Sequence, residues 1–89
     1  MQLAVWKYPF DLKDEVVLLI PGGSKVLHIA MQGLIPCMWV LVDPERTKKE
    51  FRFKIFGTGV PIEQESMGFH VGSFFMDGGQ FIWHVFQLP

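Results

Sequence analysis

The chain has 89 residues, of which 49% are hydrophobic, 15% aromatic and 19% charged, with a formal net charge of −1. That length makes one domain able to bury roughly 60–65% of its unfolded surface, and a near-neutral charge excludes general nucleic-acid binding, which needs a basic face. So much apolar and aromatic content in so small a domain predicts self-association into a homo-oligomer, or cover by a partner.

In chain order, Leu3 to Tyr8 reads as a first strand, closed by Pro9. A charged link from Asp11 to Glu15 leads to Val16 to Ile20, an apolar β-branched run. Pro21-Gly22-Gly23-Ser24 predicts a hairpin turn into Lys25 to Met31. Gln32-Gly33 opens the next reversal, with Pro36 ahead of a strand from Cys37 to Asp43. Asp43-Pro44 ends it, because proline biases its predecessor to extended geometry. Glu45 to Glu50 has room for one helical turn and no more. Phe51 to Phe56 carries the cleanest alternation, with Phe51, Phe53 and Ile55 on one face and Arg52, Lys54 and Phe56 on the other. Gly57-Thr58-Gly59-Val60-Pro61-Ile62 follows as a shaped turn, then a solvated loop, Glu63 to Ser66. Phe69 to Met76 and Gln80 to Leu88 pair as a terminal hairpin across Asp77-Gly78-Gly79. Seven short strands with Gly/Pro punctuation predict an all-β fold, a small antiparallel sandwich or barrel spanning residues 1–89.

The lone Cys37 excludes an internal disulfide framework, and its apolar surroundings predict a buried thiol. The charged N-terminal stretch predicts a chain without a secretory leader. The uncharged run Val26 to Val42 is broken by His28, Gln32, Gly33 and Pro36 and falls short of the ~20 residues of a spanning helix, so no membrane span is expected.

No constellation for catalysis stands out, and the expectation is a protein that is not an enzyme and needs no cofactor. Ser24, Ser66 and Ser73 lack a nucleophile's surroundings, and Gly22-Gly23-Ser24-Lys25 lacks the first half of a P-loop and the helix after it. His70 and His84 fall on the two strands of the last hairpin, where the register decides whether they meet; two imidazoles alone are too few ligands for an ordinary zinc site. A different chemistry fits better. Glu45 to Lys54 holds five basic against two acidic residues, a net +3 that leaves −4 on the rest of the chain. Arg52 and Lys54 beside Thr58 and the Gly57 and Gly59 amides make a candidate phosphate clamp, with Trp39 or Trp83 as a stacking platform for a nucleotide-like anion. The same rings and charges also suit an oligomer interface and a solvated edge strand.

The segments Trp6-Lys7-Tyr8, Pro36-Cys37-Met38-Trp39, Val42-Asp43-Pro44, Gly57-Thr58-Gly59-Val60-Pro61-Ile62, Gly72-Ser73-Phe74 and Trp83-His84-Val85-Phe86 resemble a family of small phage and prophage proteins, the domain of unknown function 7352. The resemblance covers almost the whole chain. Val60 departs from the histidine common at that place. The resemblance implies a phage origin, residence in the cytoplasm of an infected bacterial host and an accessory role. By analogy with small phage proteins, that role is countering host defence, by sequestering a nucleotide-like signal or by covering a host defence protein. A minor virion component is a further alternative.

Overall fold

The computed structural model describes residues 1–89 as seven antiparallel strands in two sheets. The strands are β1 (Ala4–Pro9), β2 (Glu15–Pro21), β3 (Lys25–Gln32), β4 (Ile35–Val42), β5 (Lys48–Gly57), β6 (Phe69–Met76) and β7 (Phe81–Gln87). One sheet has the order β1-β4-β3 and the other β2-β5-β7-β6. The only other elements are single 3-10 turns at Gln64–Ser66 and Asp77–Gly79. The all-β expectation of about seven strands is met, and two facing sheets make it a sandwich. No helix is long and apolar enough to cross a membrane.

The period-two pattern of each strand decides which side chains meet between the sheets. Met38, Val40 and Val42 of β4 face Phe53 and Ile55 of β5 and Val85 of β7 across one buried cluster. Phe10, in the β1–β2 link, closes one side with its ring edge-on to Phe74, centroids 5.9 Å apart. The core is small: fifteen of the 89 residues are buried, and none of them is polar or charged. Cys37 is a buried free thiol.

Two local expectations change. Pro21-Gly22-Gly23-Ser24 is not a hairpin, because β2 pairs with β5 and β3 with β4. The chain crosses between sheets there, held by Gly22 N–H on Thr47 O at 2.9 Å and by Ser24 Oγ on Pro21 O at 2.6 Å. Ile20 and Ile29 thereby enter the same buried cluster from opposite sheets. Strand β5 also begins at Lys48 rather than Phe51, since Lys48, Lys49 and Glu50 pair with Pro21, Ile20 and Leu19. The backbone ladder there overrides a charged local sequence.

Candidate functional site

The outer face of the four-stranded sheet gathers the polar and aromatic groups that point away from the core. Phe53 and Ile55 face in, so Arg52, Lys54 and Phe56 face out from β5. Val85 faces in, so His84 and Phe86 face out from β7. In β6 a bulge between His70 and Gly72 changes the alternation. Phe74 is buried on the inner side and Ser73 points outward opposite His84. His70 is level with Phe86 on the same outer side.

These side chains form a continuous hydrogen-bonded row. Thr58 Oγ1 lies 2.8 Å from His84 Nε2, Ser73 Oγ 2.9 Å from His84 Nδ1, and His70 Nε2 3.1 Å from Ser73 Oγ. One set of proton directions uses every contact of the row, including the one at its end. The Thr58 hydroxyl is 3.4 Å from the carbonyl oxygen of Ile82, which can only accept. With the Thr58 proton on Ile82 O, the hydroxyl oxygen accepts from Nε2–H of His84. Nδ1 of His84 then accepts from the Ser73 hydroxyl, whose oxygen accepts from Nε2–H of His70. The opposite direction gives up only the 3.4 Å hydroxyl contact to Ile82 O, a carbonyl that keeps Thr58 N–H at 3.3 Å.

An aromatic border runs beside the row. Phe86 stands edge-on to Phe56 at 5.8 Å and to His70 at 5.3 Å between ring centroids. Lys54 lies next to both phenylalanines: it is two residues from Phe56 on β5 and directly opposite Phe86. The face thus offers ring surfaces, hydroxyl and imidazole hydrogen bonds and one cation, side by side.

The residues singled out from sequence are only partly brought together. Arg52 is engaged: Nη2 and Nε reach the same Glu15 oxygen at 2.8 and 2.9 Å. Both groups are substantially exposed, so the pair contributes no more than about 1 kcal/mol and can open. Lys54 makes no ion pair, although Glu15 is its cross-strand neighbour. Gly57 to Val60 is a tight turn in which Val60 N–H donates to Gly57 O at 3.1 Å, with Gly59 at φ +87°. That positive φ at the third position is what a type II turn asks of glycine. Thr58 N–H donates to Ile82 O at 3.3 Å, so two amides of the turn are engaged within the fold.

Lys54, Gly57 and Trp83 do share a cavity of about 480 Å³, together with Phe56, Val60, Asp14 and Glu15. A Cβ on Gly57 would stand 3.2 Å from the Trp83 ring, so glycine there lets the turn pack against the indole. Trp83 is packed against the core, and its Nε1–H donates to Met76 Sδ at 3.1 Å. Trp39 lies elsewhere, on the outer face of the three-stranded sheet between Lys7 and His28, with the His28 ring 5.6 Å away. The two tryptophans therefore belong to different surfaces. Ser73 and Phe86 are not among the residues expected from sequence at the ligand site, and His70 and His84 are weighed there only as a metal pair. The signal available for them was Gly72, since a glycine inside a strand marks a bulge. No three His, Cys, Asp or Glu residues converge in a way that could hold a metal ion.

The model of the family described as a domain of unknown function (DUF7352) matches residues 1–89, and the chain belongs to that family. No curated protein and no solved structure matches it.

Proposed function

From membership in a family without an assigned activity, we propose that this chain is a non-enzymatic binding protein that captures a small anionic, aromatic ligand of the nucleotide type. The observation that carries the reading is the hydrogen-bonded row Thr58–His84–Ser73–His70 lying beside Phe56, Phe86 and the unpaired Lys54. A heterocycle finds ring faces and edges to stack on, its exocyclic groups meet hydroxyls and imidazoles, and its phosphate meets Lys54. Arg52 joins once the phosphate displaces Glu15, and Gly57, Thr58, Gly59 and Trp83 border the same end of the sheet. The resemblance to phage proteins supports the finer reading: an accessory protein that works as a homo-oligomer in the cytoplasm of an infected bacterium and blunts host defence by sequestering a nucleotide signal.

The test is native mass spectrometry and calorimetry with a panel of cyclic di- and trinucleotides and ADP-ribose derivatives. A stoichiometric adduct is expected, with affinity lowered tenfold or more by Lys54→Ala, which is about 1.4 kcal/mol. Arg52→Ala should cost less, because releasing Glu15 offsets part of its gain. No adduct with any member of the panel, or an affinity indifferent to Lys54 and Phe56, would overturn the proposal. A second reading, an inhibitor or adaptor that covers a protein surface, is favoured by Val17 and Leu19, which stand about half exposed on the same sheet face. A stoichiometric host protein in a pull-down would support it.

A further inference from the structure

Of the three serines in the chain, only Ser73 has its hydroxyl between two imidazoles. Ser24 donates to Pro21 O at 2.6 Å and Ser66 to Glu63 O at 3.1 Å, so both place their protons on backbone carbonyls. Ser73 Oγ lies 2.9 Å from His84 Nδ1 and 3.1 Å from His70 Nε2. A hydroxyl has one proton, so within the row one imidazole nitrogen accepts it and the other donates its N–H to the oxygen. This holds whichever way the row runs: His84 accepts and His70 donates in one direction, and the roles exchange in the other. Sequence spacing shows no base beside Ser73, whereas the β6 bulge and the β6–β7 register bring two.

An activated serine needs a base within hydrogen-bond reach, and a third group that orients the base. In the direction that uses every contact, Thr58 Oγ1 is that third group, 2.8 Å from His84 Nε2. Ser73 is exposed, so a reagent can reach it. It also borders a cavity of about 450 Å³ between β3 and β6, where Ile29, Ala30, Met31 and Phe75 give a short apolar chain a place to lie. We propose that Ser73 is a reactive serine that takes a short apolar acyl group from an activated ester. The bond from Ser73 Oγ to the carbonyl carbon forms and the bond from that carbon to the leaving oxygen breaks. The serine proton passes through the accepting imidazole to the departing oxygen, which leaves an acyl-serine and an alcohol, with nothing oxidised or reduced. Each chain takes one group, so the event is a modification of the outer face and involves no turnover. It does not rest on ligand capture, since Lys54 and Phe56 have no part in it.

Incubation with p-nitrophenyl butyrate at about pH 8, where free imidazole is neutral, tests it by mass spectrometry of the intact chain and of its peptides. Acylated lysines are amides and resist hydroxylamine, so the serine ester is read as the hydroxylamine-labile adduct. Ser73 is expected to acquire it at least about a hundredfold faster than Ser24 or Ser66 of the same molecule, the lower end of what a positioned base contributes. That comparison is internal to the wild type and needs no variant to fold. His70→Ala and His84→Ala should each slow the reaction in part, because one imidazole remains, and the double variant should bring Ser73 down to the rate of Ser24. Ser73 acylated no faster than the other two serines, or at an undiminished rate in the double variant, would overturn the proposal. A nucleotide panel without an adduct would leave this reactivity intact, and an unreactive Ser73 would leave ligand capture intact, so the two readings fail separately.

Discussion

Ser73 is the joint of the outer-face row, and replacing it tests the assigned proton directions. In Ser73→Ala, His84 Nδ1 loses its donor at 2.9 Å and His70 Nε2 loses its acceptor at 3.1 Å. A neutral hydrogen bond contributes about 0.5–1.5 kcal/mol net, and exposure to water puts each of these at the low end, so the pair amounts to about 1 kcal/mol. For a domain of this size that is a fall of about 4–8 °C in Tm. The more diagnostic effect is on the ring. In the wild type, neutral His84 should hold its proton on Nε2, where Thr58 accepts it, and long-range ¹H–¹⁵N NMR distinguishes the two nitrogens directly. In the alanine variant Nδ1 faces only water, so the Nδ1–H form should become populated. Thr58→Val should act from the other side by removing the acceptor for Nε2–H. A wild-type His84 protonated on Nδ1 would refute the assigned direction. So would a Ser73→Ala variant with an unchanged tautomer and Tm, which would mean that the row is not formed in solution.

Two further predictions concern the fold. Phe53 is fully buried at the centre of the core, and Phe53→Ala should cost about 3–5 kcal/mol. A domain of 89 residues has roughly 4–13 kcal/mol in total, so urea denaturation followed by circular dichroism should show a variant near its threshold; a loss below about 1.5 kcal/mol would mean the cavity collapses or the core is looser than described. Tyr8 packs against the core, and burial raises its phenol above the usual value. Because the folded state favours the protonated phenol, the associated stability is present below the unfolded pKa of about 10 and is lost as pH rises through the higher folded value. Melting curves across the alkaline range should therefore fall more steeply for the wild type than for Tyr8→Phe, and parallel curves would contradict the burial of that hydroxyl.

Much of the fold is legible from single residues. Phe51, Phe53 and Ile55 alternate with Arg52, Lys54 and Phe56, and the structure keeps that division. Asp77-Gly78-Gly79 joins β6 to β7, with all three residues at positive φ. Local signals fail where the answer depends on a distant partner. Nothing near Pro21 reveals that the next strand belongs to the opposite sheet. Nothing near Arg52 reveals Glu15, 37 positions away in sequence. Trp39 and Trp83 both read as strand aromatics, but their separation onto different surfaces is decided by the sheet order.

The candidate site depends on a departure from regular strand geometry, which is why it is the least legible part. His70 and Ser73 are three residues apart, and in a regular strand an odd separation puts two side chains on opposite faces. The bulge takes up Val71: His70 pairs with Phe86 and Gly72 with Val85, so His70 and Ser73 share the outer face while Phe74 keeps the inner one. A second bulge, between Val26 and His28, leaves Val26 and Ile29 packed inward and turns His28 outward toward Trp39. In both strands one extra residue lets the core keep its apolar set while a histidine moves to the surface. A one-residue change of register reverses every side chain beyond it, so a bulge is an inexpensive way to place a histidine on a face the alternation would deny it. Gly72 fits this position because a Cβ there would lie 3.1 Å from Ile29 Cδ1, where the two sheets come together. The packing of β6 against β3 and the alignment of the row on the opposite face are thus set by the same residue.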